Sequence, residues 1–254
     1  MKKVPLKYIK EEAERILREA ERRKISLKLL GGLAIWYTCP SVKEGPLSRD
    51  YGDIDVIGFS KQSREISALF KDLGYKPRER FNALYGFKRL IFNDLENMRR
   101  VDVFLDRFEM AHKFDFKDRI NLCRNALPVT DLLFTKLQIV KINEKDLKDI
   151  VAIFLDHEFG KEPCENIEPD YITKLTSEDW GVYRTFTGNL KKVLDYVSSL
   201  SLSEDKKENV KKKVESLLSE IEKKPKSMGW KLRAKVGESR KWYEDVEEDQ
   251  KVVE

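Results

Sequence analysis

The most informative stretch of the sequence is residues 53–59, Asp-Ile-Asp-Val-Ile-Gly-Phe. Its alternating pattern between turn residues predicts a β-strand. Because residues i and i+2 of a strand share one face, Asp53 and Asp55 should lie side by side, opposite Ile54 and Val56. Two adjacent carboxylates repel each other, and a divalent cation between them would remove the repulsion. The alternative is a solvated edge strand, because DxD arises by chance in a chain rich in aspartate.

A third aspartate lies in the middle of a second predicted strand, residues 100–106. Asp102 lies between two valines and points away from their face, and an aspartate at such a position disfavours a strand. A neighbouring strand that carries the DxD pair would explain Asp102 as the third carboxylate of one metal site. The alternative is an ion pair with Arg100 or Arg107.

A pair of glycines, Gly31 and Gly32, follows one predicted strand and precedes a candidate helix. Small residues at such a turn let backbone N–H groups and the helix N-terminus approach a phosphate. A lone glycine pair is more often only a turn, and its position before the DxD strand favours the phosphate interpretation.

Lys136 lies on or beside the apolar stripe of a predicted helix, where a lysine either extends to solvent or meets an anion. Asp146 and Asp149 follow at positions i and i+3 of the next predicted helix. The alternative for these aspartates is helix capping, with Asn143 as the N-cap and Asp146 in the first turn.

The hydrophobic pattern predicts an α/β fold with a mixed sheet of about four strands and flanking helices, followed by a helical C-terminal part. The predicted strands are 27–30, 53–59, 83–92 and 100–106. The predicted helices are 5–24, 33–39, 61–73, 129–142, 145–159, 178–197, 203–224 and 230–248. Residues 163–169 are predicted as a linker, so we expect two domains, 1–160 and 161–254.

Composition narrows the class of protein. The chain has 254 residues, and 41% hydrophobic residues suffice for a packed core. Residues 1–160 carry a net charge of +6 and residues 161–254 a net charge of −1, so the first part suits a polyanionic ligand. The longest uncharged stretch, residues 29–42, is too short to span a bilayer, and no apolar secretory segment begins the chain. We therefore expect a cytoplasmic protein without a membrane partner.

The metal-ligand inventory favours carboxylates. Cys39, Cys123 and Cys164 form no CxxC motif, and the chain has two histidines, so we expect neither a disulfide framework nor a zinc site. Metal chemistry would rest on carboxylates, which prefer hard cations such as Mg²⁺ or Mn²⁺.

Taken in order, these motifs resemble the nucleotidyltransferase superfamily that includes DNA polymerase beta. The matching segments are Leu30-Gly31-Gly32-Leu33-Ala34, Arg49-Asp50-Tyr51-Gly52-Asp53-Ile54-Asp55-Val56 and Val101-Asp102-Val103. Residues 131–137 and 145–150 resemble the branch that contains the abortive-infection type nucleotidyltransferase toxins. The resemblance covers about residues 25–155. It departs from the pattern at Gly32, where many relatives have Ser, and at Tyr51, where Ser or Thr is common.

The resemblance implies a role for each motif. Asp53 and Asp55 would bind Mg²⁺ or Mn²⁺, and Asp102 would complete the metal site and help to deprotonate the acceptor hydroxyl. Lys136 would neutralise phosphate charge. The further residues implied at the nucleotide are Gly31, Gly32, Arg49, Asp146 and Asp149. The implied reaction is in-line attack of a hydroxyl on the α-phosphorus of an NTP, with pyrophosphate leaving.

Three hypotheses follow. The first is a metal-dependent nucleotidyltransferase that modifies a hydroxyl of RNA, such as a tRNA end, or of a protein. The second is an inactive nucleotide- or partner-binding module of the same fold, in a toxin–antitoxin pair with a small antitoxin protein. The third, a glycosyltransferase, is disfavoured by the short core and the upstream glycine pair. The basic segment 223–241, which contains Trp230, either follows a nucleic-acid backbone or is a solvated helix face.

Overall fold

The structure is a computed structural model that describes residues 4–245. The strands are β1 (Leu27–Leu30), β2 (Ile54–Gly58), β3 (Lys76–Pro77), β4 (Arg89–Asp94), β5 (Arg99–Leu105), β6 (Arg107–Glu109) and β7 (Lys113–Asp115). The helices are α1 (Ile9–Arg22), α2 (Gly31–Thr38), α3 (Ser63–Asp72), α4 (Glu79–Tyr85), α5 (Val129–Leu137), α6 (Glu144–Asp156), α7 (Pro169–Glu178), α8 (Trp180–Ser199), α9 (Glu204–Lys223) and α10 (Met228–Val236).

The main sheet has five strands in the order β1-β2-β5-β4-β3. β2 and β5 are parallel, and the other pairs are antiparallel, so the sheet is mixed. A separate β6–β7 hairpin follows β5. The expected fold class is confirmed: a mixed sheet with flanking helices precedes a helical C-terminal part. The fifth strand escaped prediction because β3 has only two residues, too few for a periodic pattern.

The predicted strand 83–92 is wrong in its first half. Residues up to Tyr85 belong to α4, and β4 begins at Arg89. None of the α4 side chains is buried, so this helix has no apolar stripe that a sequence pattern could reveal. Its position depends on Asn82, whose side-chain amide bonds both the N–H and the carbonyl of Ile91 on β4.

The predicted linker 163–169 is also more ordered than expected. Ile167 pairs with Phe159, and α7 begins at Pro169, which occupies the first helical turn. The helix α7 was not predicted, because most of the side chains that it buries, Thr173, Thr176 and Ser177, are polar and form no apolar stripe. The predicted helix 230–248 corresponds to α10, which ends at Val236, so the prediction is wrong for residues 240–245, and residues 246–248 lie outside the described residues.

The expectation about cysteines is wrong, because Cys123 and Cys164 form a disulfide. The two residues are separated by 41 positions, and spacing along the chain does not reveal such a pairing. Cys39 is a free, buried thiol.

The buried hydrophobic side chains form one cluster that runs through both halves of the chain. It includes Leu29 and Val103 of the sheet together with Val182 and Leu217 of the C-terminal helices. The division of the chain into two domains at residue 160 remains a prediction. Among the described residues, no helix is both long and apolar enough to cross a membrane.

Candidate active site

Two neighbouring strands bring three aspartates to one cavity. Asp55 on β2 pairs in register with Asp102 on the parallel strand β5, and with Leu30 on β1 at its other side. Asp53 immediately precedes β2. All three carboxylates and Lys136 line a cavity of about 420 Å³. The sheet register thus assembles groups that lie far apart in sequence.

A glycine turn lies directly against Asp55. Gly31 begins α2 with a φ of +67°, in the left-handed region that favours glycine. A Cβ at this position would lie 2.3 Å from Asp55 Oδ2, and one at Gly32 would lie 2.3 Å from Arg49 Nη2. Both glycines therefore let the N-terminus of α2 lie close to the cavity and to the Arg49 side chain.

Asp149 joins two cations beside this turn. Its Oδ1 accepts from Arg49 Nε at 2.9 Å, and its Oδ2 accepts from Arg49 Nη2 at 2.6 Å. The ammonium of Lys136 lies 2.8 Å from Asp149 Oδ2 and 3.0 Å from Asp146 Oδ1. Asp149 is fully buried, and Lys136 is nearly so. The network fixes the positions of Arg49 and Lys136 from the buried side.

The first turn of α6 combines a helix cap with a contact to Lys136. The side chain of Asn143 does cap α6, because it accepts from the backbone N–H of Asp146 at 3.2 Å. The Asp146 carboxylate nevertheless turns to Lys136. Burial would lower the pKa of the Lys136 ammonium, but Asp149 and Asp146 outweigh it and raise that pKa, so Lys136 stays charged.

Asp102 has arginine partners. Arg89 donates from Nε to Asp102 Oδ1 at 2.9 Å, and Arg100 Nε lies 2.7 Å from Asp102 Oδ2. The ion pair with Arg100 that the sequence offered as an alternative is thus present, and Arg107 instead pairs with Asp115. Asp102 also lines the cavity, so the ion pairs do not remove it from the candidate site.

The pKa of Asp55 is raised to about 7, first by burial and then by the negative charges of Asp102 and Asp53. Asp55 is only partly accessible, whereas Asp53 is exposed. Partial desolvation of its carboxylate still raises the pKa of Asp53; Arg100 opposes this rise, and Asp102 adds to it. The carboxylates are therefore held where their negative charges repel each other.

Two of the three carboxylates are suited to bind a divalent cation. Within residues 4–245, no group of three or more His, Cys, Asp or Glu side chains is arranged to hold a metal ion. Asp53 and Asp55 nevertheless fit as oxygen donors, because a cation would relieve the repulsion that raises the pKa of Asp55. Asp102 is the poorest fit of the three, since both of its oxygens face arginines.

Part of the cavity wall was not predictable from the sequence. Arg89 lies on β4, which was predicted, but nothing in the pattern indicated that its side chain reaches Asp102. Tyr243, Glu244 and Asp245 also line the cavity, because the chain after α10 returns to the sheet. There the Glu244 N–H donates to the Ala111 carbonyl at 3.0 Å. No local signal in the sequence indicates such a return.

Comparisons with known proteins found distant similarities to solved structures. No protein-family model and no curated protein matches the chain. The lincosamide antibiotic adenylyltransferase LnuA, in a lincomycin-bound structure, is 16% identical over 58% of this chain and 98% of its own, with a TM-score of 0.43. The antibiotic-resistance factor ANT(2'')-Ia is 14% identical over 55% of this chain and 79% of its own, with a TM-score of 0.39.

An antigenic nucleotidyltransferase-like protein from Paracoccidioides brasiliensis is 13% identical over 89% of this chain and 97% of its own, with a TM-score of 0.40. At such low identities and TM-scores, these likenesses assign neither a substrate nor a residue role to this chain.

Proposed function

We propose that this protein is a metal-dependent nucleotidyltransferase that transfers an NMP from an NTP to an acceptor hydroxyl, with release of pyrophosphate. The observation that carries the proposal is the cavity into which Asp53, Asp55, Asp102 and Lys136 all project. A buried strand pair that concentrates carboxylates beside a glycine turn and a charged lysine is suited to bind both a cation and a polyphosphate.

Each residue then has a role that follows from its position. Asp53 and Asp55 would hold Mg²⁺ or Mn²⁺, which when bound neutralises charge on the reacting phosphate and lowers the pKa of the acceptor hydroxyl. The backbone of Gly31 and Gly32 at the N-terminus of α2 would face the phosphates. Asp102, held by two arginines, would lie on the acceptor side and accept the proton of the attacking hydroxyl.

The cations beside the turn would hold the triphosphate. Lys136 and Arg49 offset phosphate charge, and Asp149 orients both of them by its two carboxylate oxygens. Asp146 provides a second anchor for Lys136. These contacts hold Lys136 and Arg49 in fixed orientations, which would limit the entropy cost of binding a triphosphate.

The acceptor in this proposal is RNA, such as a tRNA end, or a protein side chain, and the reaction takes place in the cytoplasm. The second candidate is an inactive nucleotide-binding module, partnered by a small antitoxin protein. The observation that favours this second candidate is the pairing of Asp102 with Arg89 and Arg100, which leaves the third carboxylate engaged.

Transfer is tested by incubating the protein with each α-labelled NTP, Mg²⁺ or Mn²⁺, and either total RNA or total protein. We expect label on one acceptor class and loss of transfer by about 10³-fold in Asp55→Asn, which corresponds to about 4 kcal/mol of barrier. Asp118→Asn, the same change at an exposed position, is the matched control and should keep full activity.

Thermal shift separates the two candidates. An inactive module would still be stabilised by an NTP through mass action but would label no acceptor. If no NTP stabilises the protein, no acceptor is labelled, and Asp55→Asn behaves like the unmodified chain, both candidates are wrong.

A further inference from the structure

A second, open groove adjoins the proposed catalytic cavity. Its volume is about 590 Å³, and it lies between the start of α8, α10 and the returning segment 240–245. Ala111, Tyr243 and Glu244 line both spaces, so the groove and the cavity are neighbours.

Three tryptophans contribute to the walls of this groove. Trp180, Trp230 and Trp242 come from three different parts of the chain and all line it. Trp180 and Trp242 meet edge to face with ring centroids 6.1 Å apart. Trp230 and Trp242 are only partly buried, so part of each ring remains accessible. The buried indole nitrogen of Trp230 has no hydrogen-bond partner among the described residues.

Positive charge accompanies the rings. Arg240 and Lys241 line the groove and are exposed. Arg233 is placed differently: its guanidinium lies 4.6 Å from the centre of the Trp180 ring and donates to the carbonyls of Gly237 and Arg240. Arg233 therefore braces the wall, while Arg240 and Lys241 are exposed. Lys241 forms an exposed ion pair with Asp245, and a phosphate can replace that carboxylate at little cost because exposed ion pairs contribute little.

The acids of the groove are largely occupied within the protein. The Asp179 side chain accepts from the N–H of Val182 and caps α8. Glu244 forms an ion pair with Lys113 at 2.9 Å. The four basic side chains of the lining, which are Lys113, Arg233, Arg240 and Lys241, outnumber the three acidic ones, which are Glu178, Asp179 and Glu244, so the groove carries a small excess of positive charge.

We infer that this groove binds the single-stranded end of an RNA acceptor, with bases against Trp230 and Trp242 and phosphates at Arg240 and Lys241. The inference rests on the proposed function, because the groove matters to transfer only if the adjoining cavity is catalytic. Accessible rings interleaved with cations suit an unpaired polynucleotide, since every base has a face that can stack. An acidic protein segment would be attracted by the cations alone.

The probe for this inference is a fluorescein-labelled, unstructured RNA of about a dozen nucleotides, followed by anisotropy. A blunt duplex of the same strand is the matched ligand, because it carries more charge but offers few exposed base faces. We expect the single strand to bind more tightly. Trp242→Leu should weaken that binding by about 5- to 100-fold, whereas Trp242→Phe should largely retain it.

This pair of variants is matched, because both remove the Trp242 N–H that donates to Thr185 Oγ1 at 3.1 Å, and only one removes the aromatic face. Arg240→Ala and Lys241→Ala should each reduce the slope of log affinity against log salt by about 0.7. Lys231→Ala and Lys235→Ala alter exposed lysines of α10 that do not line the groove, and both should leave the slope unchanged.

Several results would overturn the inference. These are equal binding of single strand and duplex, equal binding by the two Trp242 variants, or binding of an acidic peptide in place of RNA. Asp55→Asn separates this inference from the proposed function, because it should bind the RNA normally and fail to transfer. Transfer without groove-dependent RNA binding refutes the groove alone, and groove-dependent binding without any transfer refutes the proposed function alone.

Discussion

Asp55→Asn is expected to stabilise the free protein at about pH 8 and to change its stability little at about pH 4. The folded state raises the pKa of this carboxyl from an ordinary value of 3.8 to about 7. Between these two values the folded protein keeps the proton and the unfolded chain releases it. The free energy of unfolding therefore falls as the pH rises through this window, and above about pH 7 the loss is complete.

The size of the effect follows from the same shift. One pKa unit corresponds to about 1.4 kcal/mol, so the full difference is worth about 4 kcal/mol. Solvent reaches part of Asp55 through the cavity and screens its charge, so we expect the variant to gain about 2 to 4 kcal/mol at about pH 8. Asparagine keeps the shape of the side chain and removes only the charge.

Urea unfolding at both pH values measures the gain directly. The variant should retain part of the pH dependence, because burial also raises the pKa of Asp131 to about 7. Adding Mg²⁺ at the higher pH should stabilise the unmodified protein more than Asp55→Asn. A variant that is less stable than the unmodified protein at about pH 8, or equally affected at both pH values, would refute the reasoning.

Three further predictions concern stability. Gly31→Ala should lower the free energy of unfolding more than Gly45→Ala does. Both positions have a positive φ, but only at Gly31 would the new Cβ collide with Asp55. Calorimetry on the two variants tests this, and equal losses of stability would contradict it. Asp149→Asn should lose about 3 to 5 kcal/mol in urea unfolding, since it leaves two cations short of a buried partner, whereas Asp118→Asn should change stability by less than about 0.5 kcal/mol. Reducing the disulfide, which joins positions 41 residues apart, should lower the free energy of unfolding by about 4 kcal/mol by the chain-entropy estimate. The number of free thiols measured in the unfolded chain should increase from one to three.

Much of the sheet was predictable from sequence because its strands have a periodic pattern. β1, β2 and β5 each repeat apolar residues at the period of a strand, and their predicted positions agree with the structure to within about two residues. β3 and α4 lacked such a pattern: the first is too short, and the second buries none of its side chains. Their positions depend on contacts with β4, which no local window contains.

For the candidate site, the types of residue were evident from sequence, and their arrangement was not. Three features were recognisable because they are unusual for their local environment, as a charge on an apolar stripe is. They are the DxD pair, the glycine turn and Lys136. Proximity between Asp55 and Asp102 follows from the parallel register of β2 and β5, which depends on long-range backbone pairing. The bridging position of Asp149 likewise requires α6 to pack beside the loop that carries Arg49.

The sequence by itself determined the α/β class, the run of C-terminal helices and the chemical identity of the candidate ligands, because periodicity and residue type act locally. The tertiary structure alone revealed the contact of Arg89 with Asp102, the disulfide and the return of residues 240–245 to the cavity. The physical reason is that a contact between distant segments is stabilised by the packing of the whole chain. The local sequence pattern of either segment therefore does not indicate which residues will be in contact.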